Sequence, residues 1–338
     1  MADNIISEYG SIDYEVGVQA SQKMIYKARQ KMSLYRIAMK ETLDKNMGNQ
    51  VNFQVWENLA AATSPMLPSV TPQGSNIQAT DILATLEIYG NWVPMNRHVM
   101  NTLEDNYLQR GQNVMAYNMK DTFETIDAYA LKQGSEVVYS NADTVRTDVD
   151  KAMTLETLRD AVSYLEANNA EPITELIPTR PNIEAVGIEE AYFGFCHSHM
   201  ERVVRGLTGF VPAARYPDTM ERLPNEIGSV ENVRFIRSNY FTPWADGGAS
   251  VSGGFKSTSG SLADVYPVVI FAKDAFGVSD LAGTEFNKLM VANPRTLGGV
   301  DPLGQRGSIG WCGCHAISII DNDRMVRIES AAPISSAA

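Results

Sequence analysis

Residues 94–134 read PMNRHVMNTLEDNYLQRGQNVMAYNMKDTFETIDAYALKQG. Met100, Leu103, Tyr107, Gly111, Met115, Met119, Phe123, Ile126 and Ala130 recur there at the spacing of a helix with one apolar face. Pro94 suits a first helical turn, where its missing N–H costs nothing, and Gly134 suits the stop. At 1.5 Å per residue, a helix over the whole stretch would reach roughly 60 Å, longer than an ordinary globular domain is wide. A single apolar stripe on such a rod predicts a shallow sheet laid along it, with Gly111 either kinking the helix or admitting a close contact.

Immediately upstream, Val51 to Asn58 alternates apolar with polar residues, and Ile82 to Val93 is a second β-prone stretch. The connection between them carries Pro65, Pro68, Pro72 and Gly74 and fits no tight hairpin. The expectation is a protruding two-stranded arm with a proline-stiffened tip. Further upstream, Ser21 to Lys40 holds Lys23, Lys27, Arg29, Lys31, Arg36 and Lys40 and no acid, with Met24, Ala28, Met32, Tyr35 and Met39 at helical steps. That pattern predicts an amphipathic helix with an exposed basic face, one able to touch an anionic surface or packaged nucleic acid.

Downstream, Met153 to Ala167 reads as a helix capped by Thr154. Short strands follow at Ile173–Ile177, Tyr192–Cys196, Val233–Ile236, Val265–Ala272, Ile309–Ile320 and Met325–Ile328. Helices and strands mix without a regular βα repeat, so the expected class is α+β. Asp246 to Ser261 is mostly Gly and Ser and reads as a flexible surface loop.

Composition narrows the function. The 338 residues carry 28 Lys and Arg against 40 Asp and Glu, a net charge of −12. Such a balance disfavours a dedicated nucleic-acid reader, which needs clustered cations to neutralise phosphates. Apolar runs such as Val268 to Ala272 are too short to span a bilayer. The start, Met1-Ala2-Asp3-Asn4, does not resemble a secretory leader, and with only three cysteines the expectation is a reducing cytoplasm and no disulfide scaffold.

Catalytic signatures fail one by one. Gly254-Phe255-Lys256-Ser257 lacks the upstream glycine of a phosphate loop, and Gly248-Ala249-Ser250-Val251-Ser252 stops one glycine short of a nucleophile elbow. Asp321-Asn322-Asp323 begins like a calcium loop, but Arg324 and Met325 stand where ligands and a turn glycine belong. The one cluster with metal-binding chemistry is Cys196-His197-Ser198-His199 taken with Cys312-Gly313-Cys314-His315. Thiolate and imidazole suit tetrahedral zinc, yet no Cys-x-x-Cys knuckle is present. The alternative is that Cys312 and Cys314 are small buried apolar groups among Trp311, Ile317 and Ile319. Whether Cys196, His197, Cys312, Cys314 and His315 meet in space is open from the sequence. No catalytic, cofactor-binding or metal-ligating residue is assigned, and none of Trp56, Trp92, Trp244 and Trp311 is read as a ligand platform rather than a core or interface anchor.

Several stretches nevertheless resemble, in order and over nearly the whole chain, the N4-type family of tailed-bacteriophage major capsid proteins. They are Glu87-Ile88-Tyr89-Gly90-Asn91-Trp92, Tyr129-Ala130-Leu131-Lys132-Gln133-Gly134, Gly194-Phe195-Cys196-His197-Ser198-His199-Met200, Leu223-Pro224-Asn225-Glu226-Ile227-Gly228 with Val233-Arg234-Phe235-Ile236, Phe271-Ala272-Lys273-Asp274-Ala275-Phe276-Gly277, Gly307-Ser308-Ile309-Gly310-Trp311 and Met325-Val326-Arg327-Ile328-Glu329. The chain departs from the pattern at Ser198, where a proline is common, and in segments 178–190 and 212–220, which look inserted.

The resemblance implies a Hong Kong 97-type capsid fold, with an N-terminal arm at 1–50 and an extended E-loop at 51–93. It also implies a peripheral domain at 94–150 with a spine helix at 94–134, an axial domain at 151–297, and C-terminal strands at 298–338 returning to the core. The implied function is structural and not enzymatic: hexamers and pentamers closing into an icosahedral shell around double-stranded DNA, made in the host bacterial cytoplasm and resident in the virion. Its implied partners are copies of itself, a portal protein, and scaffolding or decoration proteins, with no cofactor and no membrane. The rival readings are an encapsulin-like bacterial nanocompartment shell of the same fold, and a zinc-dependent enzyme using the Cys and His cluster.

Overall fold

The structure, a computed structural model, describes residues 32–44, 47–56, 59, 61, 63, 74–96, 98, 107–176, 186–216, 222–250, 254–281, 288–292 and 305–334. Lys23, Lys27, Arg29 and Lys31 of the expected basic helix, the tip residues Pro65, Pro68 and Pro72, and Met100 and Leu103 lie outside the described residues.

In chain order the elements begin with a one-turn helix α1 (Leu34–Ile37), strands β1 (Met39–Leu43), β2 (Gln50–Trp56), β3 (Ala79–Thr85) and β4 (Glu87–Asn96), and the long helix α2 (Tyr107–Leu131). There follow β5 (Val137–Tyr139), α3 (Leu155–Ala167), β6 (Ile173–Leu176), β7 (Val186–Cys196), α4 (Glu201–Gly206), β8 (Val211–Pro212), β9 (Glu226–Val230) and β10 (Val233–Arg237). The chain closes with β11 (Val265–Phe271), β12 (Phe276–Leu281), β13 (Lys288–Ala292), β14 (Arg306–Ile319) and β15 (Met325–Ala331). The architecture is α+β.

Two sheets and a hairpin share these strands. The larger runs β5-β15-β11-β7-β10-β9-β8, with β6 beside β7. The smaller runs β1-β12-β14-β13, with β4 also on β14, and β2 pairs with β3 alone.

Pro94 does not open the long helix. Pro94 lies in β4 opposite Ser308 of β14, and α2 spans 25 residues, about 37 Å at 1.5 Å per residue. Tertiary pairing decides this: every residue from Glu87 to Asn96 is matched to one from His315 back to Arg306. β4 has no second ladder partner among the described residues, and an edge position tolerates proline. The predicted second strand of the arm, Ile82–Val93, is likewise split at Leu86. Its first part pairs with β2 in register Gln50↔Thr85 to Trp56↔Ala79, and its second joins β14. Near the N-terminus the expected helix to Lys40 stops at Ile37, because Met39–Leu43 pairs in parallel with Gly277–Leu281. Its described cations are not a free basic face: Arg36 is buried, and Lys40 pairs with Asp280 at 3.5 Å.

The apolar stripe of α2 packs as its period requires. Met115, Met119, Phe123 and Leu131 enter one core with Ile309 and Trp311 of β14 and with Phe193, Phe195 and Phe271 of the larger sheet. Gly111 admits close contact and leaves the helix unbroken, since a Cβ there would sit 3.1 Å from Ile309 Cδ1. The opposite face of the larger sheet, with Tyr192, Cys196, Val268, Ile270 and Ile328, is covered by Leu158, Ala161 and Leu165 of α3. Thr154 caps α3 as expected, accepting from the Thr157 N–H at 3.3 Å. The described parts of the Gly- and Ser-rich loop are tied down more than their composition predicts: Asp246 accepts from the Ser259 N–H and hydroxyl, and Asp264 from the N–H groups of Asp246 and Thr258.

The hairpin is seated by one side chain. Phe53 is fully buried with Val51, Ala84, Ala316 and Ile320, and a Cβ on Gly277 would lie 2.5 Å from its ring. Gly277→Ala is therefore expected to lower unfolding free energy by about 1–3 kcal/mol through overpacking, measured by denaturant titration. Phe53→Ala, which leaves a cavity, should cost about 3–5 kcal/mol.

Candidate assembly surfaces and the charged clusters that support them

Strand alternation gives the hairpin two unlike faces. Val51, Phe53 and Ala84 point to the core, while Trp56 and Leu83 stand on the outer face, 60% and 61% exposed. The β4–β14–β13 region has a second uncovered face. Tyr89 and Trp311 turn toward Phe123 of α2, so their neighbours in sequence turn away from it. Trp92 and Met290, both opposite Gly310, thus share the far face with Ile88 and Cys312, and Trp92 is 65% exposed. Exposed large apolar groups gathered on sheet faces mark interaction surfaces. Among the described residues, no helix is long and apolar enough to cross a membrane.

The cysteine and histidine segments do not form one site. Cys312 and Cys314 lie on the far face of β14, half-buried and buried. His315 projects to the other face, stacks on Phe123 at 4.6 Å, and places Nε2 2.6 Å from Asp127 Oδ1. Cys196 belongs to the larger sheet, where burial pushes its thiol up to about 12. His197 Nδ1 accepts from the His199 N–H, and His199 Nδ1 lies 2.8 Å from the Tyr266 hydroxyl. Burial, with His199 and Lys256 nearby, pushes His197 down to about 4. Among the described residues, no three His, Cys, Asp or Glu groups converge to hold a metal ion.

Two buried charged clusters escaped the sequence reading. On α2, Glu124 and Asp127 are buried. Glu124 Oε1 accepts from the N–H groups of Ser33 at 2.7 Å and Leu34 at 3.4 Å, while the Ser33 hydroxyl donates to the Pro224 carbonyl. The segment 33–34 is thereby tied to α2 and to the loop before β9. Burial, then the Asp127 carboxylate, push Glu124 from 4.5 up to about 8. Asp127 stands four residues after Phe123, hence on the apolar stripe, and that position was the only available signal.

The second cluster joins the C-terminal end of α2 to the larger sheet. Glu329, fully buried, accepts from Arg146 Nε at 2.6 Å and from Arg327 Nε at 2.8 Å. Arg327 also donates to the Gly134 carbonyl, and Lys132 Nζ to the Thr242 carbonyl. The Trp244 ring takes Arg146 at 3.7 Å and Lys132 at 3.9 Å. Burial and the two guanidinium groups push Lys132 down to about 8.

No protein-family model matches the chain, and no curated protein matches it. Solved structures do. The chain is similar to one in the capsid of Ralstonia phage GP4, at 12% identity over 93% of this chain and 92% of that one, with a TM-score of 0.69. It is similar to one in the cyanophage Pam1 capsid asymmetric unit, at 14% identity over 91% and 93%, with a TM-score of 0.59. A third likeness is to the head structure of Helicobacter pylori bacteriophage KHP40, at 11% identity over 87% of each chain, with a TM-score of 0.59. At these identities the likeness is one of fold, and it extends over most of each chain.

Two expectations follow from the clusters. The folded-state value of Glu124 lies above its ordinary 4.5, so its stabilising proton is fully in place below pH 4.5 and lost as pH rises through about 8. Between pH 5 and pH 8.5 the melting temperature should fall roughly 5 °C further in the native protein than in Glu124→Gln, which keeps the acceptor oxygen and cannot ionise. Glu329→Ala strands two guanidinium groups and should cost about 3–5 kcal/mol in denaturant titration.

Proposed function

We propose that this chain is the major capsid protein of a tailed bacteriophage, of the N4-type family and with the Hong Kong 97-type fold. The observation that carries the reading is the likeness of fold to phage capsid and head structures along nearly the whole chain, 93% of it for the Ralstonia phage GP4 capsid. The exposed apolar faces of the hairpin and of the β4 sheet support it, because they need covering by other chains. On this reading residues 1–50 are the N-arm, 51–93 the E-loop, 94–150 the peripheral domain with α2 as its spine, 151–297 the axial domain, and 298–338 the returning strands.

The mechanism is assembly. Copies gather as hexamers and pentamers and close into an icosahedral shell around double-stranded DNA, each hairpin lying over a neighbour so that Trp56 and Leu83 become buried. Individual contacts can be weak, since each subunit engages several partners at once. The protein has no catalytic role or cofactor. It is made in the host cytoplasm, meets a portal and scaffolding or decoration proteins there, and ends in the virion. The DNA is enclosed without sequence-specific contact.

Negative-stain microscopy of the purified protein is expected to show shells, tubes or ring-shaped capsomers, and virions are expected to contain the chain in many copies; a monomer at high concentration that is absent from virions overturns the reading. Nucleic acid inside virus-derived particles, as against an enclosed enzyme, separates a capsid from a nanocompartment. Trp56→Ser with Leu83→Ser should leave the melting temperature nearly unchanged and reduce assembled material at least tenfold by sedimentation.

A further inference from the structure

The larger sheet ends in two unlike edges. At one, β5 and the start of α3 enclose a cleft of about 450 Å³ lined by Tyr139, Asp143, Thr154, Glu156 and Asp160 among others, with Arg159 beside it in an exposed pair with Glu156 at 3.0 Å. Asp143 Oδ2 is buried there without a hydrogen-bond partner among the described residues, and a buried carboxylate oxygen calls for a donor. Burial, with Asp150 and Asp148 nearby, pushes the Asp143 carboxyl up. Glu156 and Asp160 are exposed on the rim, as is the apolar Val145 two residues after Asp143. At the other edge, α4 leads into β8 and presents Arg202 and Arg205, both exposed, above the exposed Val211. Arg205 pairs with Glu201 one helix turn back, a surface pair that exchanges partners cheaply, and its guanidinium lies 6.0 Å from the Phe210 ring.

The two edges lie at the same end of the sheet. β5 runs parallel to β15, β15 antiparallel to β11, and β11 antiparallel to β7, so β5 and β7 point the same way. The chain reaches α3 after the end of β5 and α4 after the end of β7. Six strand spacings, roughly 29 Å, separate β5 from β8. An acidic cleft and an arginine edge at one level on opposite sides of a subunit form the two halves of a head-to-tail contact, the kind that closes into a ring under rotation.

We propose that the arginine edge of one copy, Arg202 and Arg205, docks into the acidic cleft of a second copy, meeting Asp143, Glu156 and Asp160, with Val211 against Val145. This deepens the reading of the chain as a shell subunit and rests on it. Complementary charge sets register and partner choice.

The test is reciprocal charge reversal in the full-length chain. Arg202→Glu with Arg205→Glu, and separately Glu156→Lys with Asp160→Lys, should each lower assembled material at least tenfold by sedimentation and electron microscopy. The combined four-residue variant should recover most of it. The neutral pairs Arg202→Gln with Arg205→Gln, and Glu156→Gln with Asp160→Asn, give the same direction more weakly and serve where a reversed variant melts early. Assembly of the single-edge variants at the native level, or a combined variant no better than either parent, overturns the proposal. A native protein that never assembles instead overturns the shell reading itself.

Discussion

Alternation along β14 is the constraint on which the rest of the structure depends. Fourteen successive residues, Arg306 to Ile319, present Ile309, Trp311 and His315 to α2 and turn Cys312, Cys314 and Ala316 the other way. The first set carries the long helix. The second receives the hairpin, where Ala316 meets Phe53 and Val51. Because the period is two, a one-residue slip of this strand would exchange the surface that holds α2 with the one that seats the arm. β14 also pairs with β4, β12 and β13 along its length, so helix, arm and smaller sheet share one register.

Buried charge connects this unit to the larger sheet. An ion cluster such as Glu329 with Arg146 and Arg327 adds little net stability, since desolvation offsets most of its Coulomb attraction, but it allows only one arrangement of the groups. It sets where the end of α2 meets β15. Glu124 does the same for the segment at Ser33, through a carboxyl whose proton is held by its own burial. These groups supply orientation, and the shared aromatic core supplies most of the free energy.

Several of the apolar groups left outside share sheet faces. Trp56 and Leu83 on the hairpin, and Trp92 and Met290 on the far side of the β4 sheet, all stand on faces whose opposite side is packed. These two layers are packed on one side and expose large apolar groups on the other, the character of an interaction surface.

The amino-acid pattern alone determined the α+β class, the amphipathic faces of α2 and α3, the Thr154 cap and six of the strands to within a few residues, because these follow from local period and local hydrogen bonding. Residues such as Pro94 and Met39 were misread for the opposite reason: their local pattern allows a helix, and a distant strand, β14 or β12, claims their backbone. Beyond the place of Asp127 on the apolar stripe, the buried acids of α2, the junction at Glu329 and the separation of Cys196 from Cys312 and Cys314 had no local signature. Each depends on which residues far apart in the chain arrive at the same place, and only long-range packing decides that.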